Sequence, residues 1–90
     1  MIITKKYIVN GFVQGVGYRY FCKKTASLLQ ITGYAKNLMN GDVEVLAQGS
    51  EKNLIHFKDS LQRGPSRSYV NHISEEPIVD ADNYQLFFIK

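Results

Sequence analysis

Residues 9–19 read VNGFVQGVGYR, and this stretch joins a predicted strand to a predicted helix. Residues 5–13 alternate between two faces that both carry apolar side chains, which predicts a strand with substantial burial on both sides. In residues 18–29 the apolar side chains recur instead at helical spacing. Gly15 and Gly17 lie between the two patterns. The segment therefore predicts a strand, a glycine-rich turn and a helix.

The rest of the chain divides at glycines and prolines into short elements. Asn40-Gly41 predicts a hairpin with a type I′ turn, in which both central residues have positive φ. Ser50 is a suitable cap for a second helix that ends before Gly64. The predicted elements after the first helix are strands at 33–39 and 42–48, a helix at 51–63, and strands at 69–73 and 84–89.

The element order is β-α-β-β-α-β with a further C-terminal strand. It predicts an α+β fold of the ferredoxin-like kind, a split β-α-β sandwich with one antiparallel sheet and both helices on one face. With 90 residues the chain has room for one core, so residues 1–90 are expected to form a single domain. This fold serves many functions, so the chemistry must be inferred from the site.

Composition limits the possible classes of protein. Hydrophobic residues make up 44% of the chain, which favours a folded domain over disorder. The single cysteine rules out an internal disulfide and fits a reducing compartment. No apolar run reaches the length of a membrane span. The net charge is +3, but the basic residues are scattered, so no nucleic-acid-binding stripe is evident. We expect a cytoplasmic monomer with no membrane or nucleic-acid partner.

The glycine-rich turn is the first candidate binding site. Gly15 and Gly17 allow successive main-chain N–H groups to point at one anion, and the following helix aims its positive end at the same place. Arg19 falls in the first helical turn, where a cation costs roughly 0.3–1 kcal/mol against the helix dipole. That position makes sense if an anion lies between the guanidinium and the amides. From this segment alone, an anion site and a solvated surface arginine are equally supported.

Other nucleotide-binding patterns are absent. The turn matches neither the P-loop nor the dinucleotide-binding glycine pattern, and it contains no carboxylate to hold Mg²⁺. The loop therefore argues against nucleotide hydrolysis. The sequence also has no Cys/His cluster with zinc spacing.

Asn37 is the second candidate, because its amide can orient a water molecule. Asparagine is also common near turns, and the local sequence alone favours that reading. The remaining polar and reactive residues are expected to be structural or solvated. They are His56, His72, Cys22, Asp80, Asp82, Lys23 and Lys24.

Two motifs resemble the acylphosphatase family. They are residues 9–19 and residues 33–37, GYAKN, followed by glycine and valine at the family's spacing. The resemblance spans nearly the whole chain. It implies the ferredoxin-like fold and hydrolysis of the carboxyl–phosphate bond of an acyl phosphate, giving a carboxylate and inorganic phosphate. Water would be the nucleophile, with no metal or cofactor.

The resemblance also assigns roles to residues. Arg19 matches the family's phosphate-binding arginine, and Asn37 matches the asparagine that positions the attacking water. The loop that would bind the substrate phosphate through its main chain comprises Gln14, Gly15, Val16, Gly17, Tyr18 and Arg19. The sequence does not identify the substrate, which could be acetyl phosphate, carbamoyl phosphate, a bisphosphoglycerate or an aspartyl phosphate on a protein.

Two positions depart from the family pattern. Gln30 follows the first helix where glycine is frequent, and a left-handed conformation there would strain it by roughly 1 kcal/mol. Tyr34 replaces a frequent tryptophan, an exchange of one aromatic ring for another. The first departure bears on stability more than on chemistry, and the aromatic exchange is expected to be tolerated.

A second class of function is a non-catalytic module that binds an anionic metabolite or RNA. Ferredoxin-like domains bind RNA through aromatic side chains on the open sheet face, where Tyr7, Tyr69 and Phe88 are candidates. No RNA-binding aromatic motif accompanies them. Intact Arg19 and Asn37 favour the enzyme.

Overall fold

The computed structural model describes residues 1–90 and contains one five-stranded sheet with two helices. The strand order is β4-β1-β3-β2-β5. The elements are β1 (Ile3–Phe12), α1 (Tyr18–Leu28), β2 (Thr32–Asn37), β3 (Val43–Gly49), α2 (Glu51–Arg63), β4 (Tyr69–Pro77) and β5 (Phe87–Ile89). The predicted ferredoxin-like order is confirmed.

The last strand differs from the predicted sheet. β1 to β4 pair antiparallel, but β5 pairs parallel to β2, with Phe87 beside Gly33. The reason lies in where β4 ends. Pro77 pairs with Lys5, at the sheet end where β2 also begins. The chain crosses along that end through residues 78–86, so β5 starts beside the start of β2 and runs in the same direction. The prediction of an entirely antiparallel sheet was wrong for this strand.

A buried glutamine holds the crossing segment. Gln48 on β3 is 5% exposed. Its Oε1 accepts a hydrogen bond from the main-chain N–H of Tyr84 at 2.9 Å, and its Nε2 donates to the main-chain oxygen of Asp82. These bonds satisfy a polar side chain that would otherwise be costly to bury. They also fix the segment that delivers β5 to the sheet.

Both helices pack on one face of the sheet, around a single cluster of 16 buried residues. β1 contributes Tyr7 and Val9 to this cluster, whereas Phe12 on its other face is 61% exposed. The predicted burial on both sides of β1 was therefore wrong, because the helices cover only one face. The burial of Tyr7 also removes it from the aromatic surface considered for RNA.

The β2–β3 hairpin has a longer loop than predicted. Gly41 has a φ of 99°, but Asn40 keeps a negative φ, so the turn is not type I′. The Asp42 N–H donates to Asn40 Oδ1 at 3.0 Å, and the Gly41 N–H donates to the Leu38 oxygen at 3.2 Å. This pattern matches the three-residue hairpin loop that places glycine at positive φ after an ordinary turn.

The helix ends follow the sequence closely. Ser50 caps α2 by accepting a hydrogen bond from the Asn53 N–H at 3.1 Å. After α1, Gln30 adopts a φ of 55°, the left-handed conformation considered for this position. The Ile31 N–H closes this turn by donating to the Ala26 oxygen at 2.8 Å. A residue with a Cβ thus occupies a conformation that glycine adopts without strain.

Candidate active site

The loop between β1 and α1 presents a row of unused main-chain donors. Gly15 and Gly17 have φ values of 76° and 79°. A Cβ at either position would meet nothing within 4 Å, so the backbone conformation, rather than crowding, favours glycine. The N–H groups of residues 14–20 donate no hydrogen bond within the protein. Gly17 caps α1 without a side-chain bond, and the first turn contains no acid. The loop and the helix end therefore offer donors and positive potential to an anion.

Arg19 lies beside these donors. It is the second residue of α1 and is partly buried. Its Nη1 donates to the main-chain oxygen of Lys90 at 2.6 Å, which anchors the guanidinium between the helix start and the end of the chain. A guanidinium has five N–H donors, so this single bond leaves others for a ligand.

Asn37 is the last residue of β2 and faces the helix side of the sheet. Its Oδ1 is buried and accepts no hydrogen bond. A buried polar atom without a partner costs about 1–3 kcal/mol, and such atoms in native proteins call for a functional or solvent explanation. This amide oxygen can accept a hydrogen bond from a water molecule.

One small cavity brings these groups together. Its volume is about 180 Å³, and Gly15, Gly17, Arg19 and Asn37 all line it. The remaining lining residues are Val13, Tyr18, Tyr20 and Ile89. No histidine, aspartate or glutamate reaches the cavity. The two residues that sequence motifs singled out therefore share a site, and that site lacks a conventional base.

Gln14 has a role that the sequence did not predict for it. Its Nε2 donates to the main-chain oxygens of Leu38 at 2.8 Å and Asp42 at 2.9 Å. These oxygens belong to the hairpin loop that follows Asn37. The side chain of Gln14 thus joins the glycine loop to the strand end that carries Asn37. The side-chain donor of Gln14 is thus used within the protein, whereas its main-chain N–H donates no hydrogen bond.

The side chain of Tyr18 is likewise engaged within the protein. Its ring is buried, and its hydroxyl donates to the main-chain oxygen of Leu61 at 2.7 Å. Burial raises the pKa of the Tyr18 phenol far above its ordinary value, so the phenol stays protonated and keeps its bond to Leu61. The side chain fixes the start of α1 against α2 and so orients the loop amides.

The other candidate residues lie outside the cavity. His56 on α2 and His72 on β4 are exposed and lie elsewhere. Cys22 is fully buried on α1, and burial raises the pKa of its thiol, which suppresses the reactive thiolate. No group of three or more His, Cys, Asp or Glu side chains has metal-binding geometry.

Three grooves, of about 390, 410 and 630 Å³, are larger than this cavity and lie elsewhere on the protein. A groove of about 390 Å³ contains the ion pairs of Glu75 with Lys5 and Lys58, which satisfy one another. A groove of about 630 Å³ lies between α1 and β5 and has mixed apolar and amide lining. None of these grooves contains Arg19, Asn37 or the loop glycines, so size does not identify the site here.

Comparison with known proteins agrees with the motifs. The family model described as Acylphosphatase matches residues 5–89. The chain belongs to the acylphosphatase family. An acylphosphatase of Clostridium beijerinckii is 43% identical over 89 residues, covering 99% of each chain. An acylphosphatase of Clostridium perfringens is 46% identical over 77 residues, covering 86% of each chain. The crystal structure of acylphosphatase from Bacillus subtilis superposes with a TM-score of 0.94 at 36% identity, covering 100% of this chain and 99% of that one.

Acylphosphatases are hydrolases that act on small acyl phosphates, so the activity implied by the motifs is confirmed at the level of the family. The ferredoxin-like fold is confirmed by the same structural match. No helix is long and apolar enough to cross a lipid bilayer. The roles given to Arg19, Asn37 and the loop amides remain predictions that rest on the motifs and on the geometry above.

Proposed function

We propose that the cavity between the glycine loop and the end of β2 is the acylphosphatase active site, with Arg19 and the loop amides binding phosphate and Asn37 positioning water. One observation carries the proposal. A single small cavity joins unused N–H donors, a guanidinium and an unpaired amide oxygen.

The phosphoryl group is bound by complementary charge. Its oxygens accept hydrogen bonds from the N–H groups of the loop comprising Gln14, Gly15, Val16, Gly17 and Tyr18 and from the Arg19 side chain. A guanidinium can make two parallel hydrogen bonds to one phosphate. Charge shifts among these oxygens during phosphoryl transfer, and donors held in place by the fold stabilise it without reorganising. This accounts for a cation at a helix start, where it is otherwise unfavourable.

Water attacks the phosphorus in line with the carboxylate leaving group. The Asn37 Oδ1 accepts a hydrogen bond from that water and orients its lone pair toward phosphorus. A new bond forms between the water oxygen and phosphorus, and the bond from phosphorus to the acyl oxygen breaks. The bond's electron pair leaves with the carboxylate. Since no histidine or carboxylate lines the cavity, an oxygen of the substrate phosphate takes the water's proton.

The nature of the leaving group explains why the reaction needs so few catalytic side chains. A carboxylate is a weak base, so it departs without a general acid. Positioning and charge stabilisation then supply the catalysis, and no metal or cofactor takes part.

We also propose that residues 1–90 work as one domain, as a monomer, in the cytoplasm. The buried unpaired Cys22 is consistent with that reducing compartment.

Turnover of benzoyl phosphate in excess EDTA tests the proposal. We expect hydrolysis unaffected by the chelator, with little hydrolysis of phenyl phosphate, whose phenolate is a poorer leaving group. In ¹⁸O-labelled water the label should enter inorganic phosphate and not benzoate. Loss of turnover in EDTA, restored by a divalent cation, would contradict the metal-free mechanism. Saturable phosphate binding without turnover would indicate a non-catalytic binding module instead.

A further inference from the structure

The cavity that holds the proposed phosphate site has a second, apolar side. Tyr20 and Ile89 line it together with Arg19 and Asn37. Tyr20 is 65% exposed and Ile89 is 42% exposed, whereas the other apolar lining residues, Val13 and Tyr18, are each 1% exposed. The buried pair belongs to the core, and the exposed pair forms the solvent-facing rim of the cavity.

Tyr20 and Ile89 come from different elements. Tyr20 lies in the first turn of α1, one residue after Arg19, and Ile89 ends β5. β5 is held beside β2 by parallel pairing of Ile89 with Ala35, and the next N–H, that of Lys90, donates to the Ala35 oxygen at 2.9 Å. The rim is therefore built by the fold and is not a mobile tail that happens to lie nearby.

The position of the rim matches the shape of an acyl phosphate. When the loop amides and Arg19 hold the phosphoryl group, the acyl group projects away from them toward the opening. There it meets a phenol ring and a branched aliphatic side chain. Apolar contact of this kind removes water from an apolar acyl group and stabilises it.

The rim has no free cation to pair with a second negative charge on the substrate. Arg19 is the single cation that lines the cavity, and the phosphoryl group uses it. Lys90 follows Ile89, but its Nζ lies 4.1 Å from the centre of the Tyr34 ring. Tyr34 belongs to β2 and does not line the cavity. An acyl group that carries a carboxylate or a second phosphate would thus bring a charge to the rim without a partner.

We infer that Tyr20 and Ile89 form an acyl-group subsite that selects acyl phosphates with apolar, ring-sized or branched acyl groups over acetyl phosphate and over acyl phosphates with a second negative charge. This inference rests on the proposed function, because it needs the phosphoryl group in the glycine loop. It narrows the substrate class of that same site.

The test compares kcat/KM for benzoyl phosphate, acetyl phosphate and succinyl phosphate. The readout is kcat/KM for benzoyl phosphate divided by kcat/KM for acetyl phosphate. Each variant's ratio is compared with that of the wild type, so the different intrinsic reactivities of the two substrates cancel. Small differences in apolar contact change the kcat/KM ratio of two substrates by roughly 10–200-fold. Because the rim is half-exposed, we expect an effect at the lower end of that range. We expect Tyr20→Ser and Ile89→Ser each to lower the ratio about ten-fold. Tyr20→Phe, which keeps the ring, should retain the ratio.

Leu28→Ser is the matched control. Leu28 is 78% exposed at the other end of α1 and lies outside the cavity, so its replacement should leave the ratio unchanged. Tyr20→Lys should raise kcat/KM for succinyl phosphate relative to benzoyl phosphate, because it supplies the missing cation. An unaltered ratio in both serine variants of an active enzyme would overturn the subsite. Absence of turnover with every acyl phosphate would instead contradict the proposed function.

Discussion

The side-chain amide of Gln14 donates to the main-chain oxygen of Leu38 over 2.8 Å. This bond joins the glycine loop to the residue that directly follows Asn37. The two halves of the proposed site come from motifs far apart in the sequence, and their relative position depends on such contacts. The Gln14 side chain is therefore a positioning group: it acts through the loop and the hairpin, apart from any contact that the Gln14 main-chain N–H makes with phosphate.

Replacing Gln14 by alanine should impair both stability and turnover. Each hydrogen bond contributes about 0.5–1.5 kcal/mol, so loss of the two should lower the free energy of unfolding in denaturant by about 1–3 kcal/mol. A site that loosens by a fraction of an ångström loses rate, and we expect kcat to fall roughly ten-fold. Gln62→Ala, at an exposed glutamine of α2, is the control and should change neither quantity. A Gln14→Ala enzyme with wild-type kcat would show that this link does not set the site geometry.

Gly17→Ala should separate backbone strain from phosphate binding. The φ of 79° costs a residue with a Cβ roughly 1–2 kcal/mol, and relief of that strain reorients the loop amides. We expect the inhibition constant of inorganic phosphate to rise. Gly41→Ala is the matched control, since Gly41 has a φ of 99° and open space around it but lies outside the cavity. It should lose comparable stability and keep phosphate inhibition. Equal weakening of phosphate inhibition in both variants would argue against a role for the loop amides.

The sequence predicted the elements and their order well, because each has a strong local signal. Ser50 before α2 and the change of period around Gly15 and Gly17 define boundaries without any tertiary information. The direction of β5 depends instead on where β4 ends and on the bonds of Gln48 to the crossing segment, which no local pattern encodes. The exposure of one face of β1 is likewise decided by where the helices pack.

Arg19 and Asn37 likewise differ in how far the local sequence identifies them as site residues. Arg19 attracts attention from its own segment, as a cation beside glycines at a helix start. Asn37 looks like an ordinary residue near a turn, and only the family motif singles it out. The unpaired Oδ1 and the shared cavity become visible only in three dimensions. Gln14 and Tyr20 carry no sequence signal for their side-chain roles.

Gln30→Gly should stabilise the protein. Gln30 has a φ of 55°, and glycine relieves the strain of that conformation. We expect a gain of about 1 kcal/mol in the free energy of unfolding. The residue lies outside the cavity, so kcat/KM should stay at the wild-type value. A lower unfolding midpoint would mean that contacts of the Gln30 side chain outweigh the strain.

Glu75 should make part of the stability depend on pH. Hydrogen bonds from Lys5 at 2.6 Å and Lys58 at 2.7 Å lower the pKa of its carboxyl below the ordinary value. A lowered folded-state pKa contributes stability above the ordinary carboxyl range, and that contribution is lost as the pH falls through the folded-state pKa. The stability difference between the wild type and Glu75→Gln should therefore be present at pH 7 and shrink in acid. A difference that does not change with pH would contradict this assignment.

The roles of Arg19 and Asn37 are separable in kinetics. Arg19→Ala should raise the inhibition constant of inorganic phosphate and lower kcat/KM, because the guanidinium holds phosphoryl oxygens. Removing one such donor typically costs about 10²–10³ in rate. Arg19→Lys, which keeps the charge but not the paired donors, should recover only part of the loss. Circular dichroism checks that each variant is folded.

The most direct measurement is kcat for benzoyl phosphate in Asn37→Ala, taken together with the inhibition constant of inorganic phosphate. Asn37 orients the water and not the phosphate, so kcat should fall about 100-fold or more while phosphate inhibition stays close to the wild-type value. A folded Asn37→Ala enzyme with wild-type kcat would contradict the proposed active site.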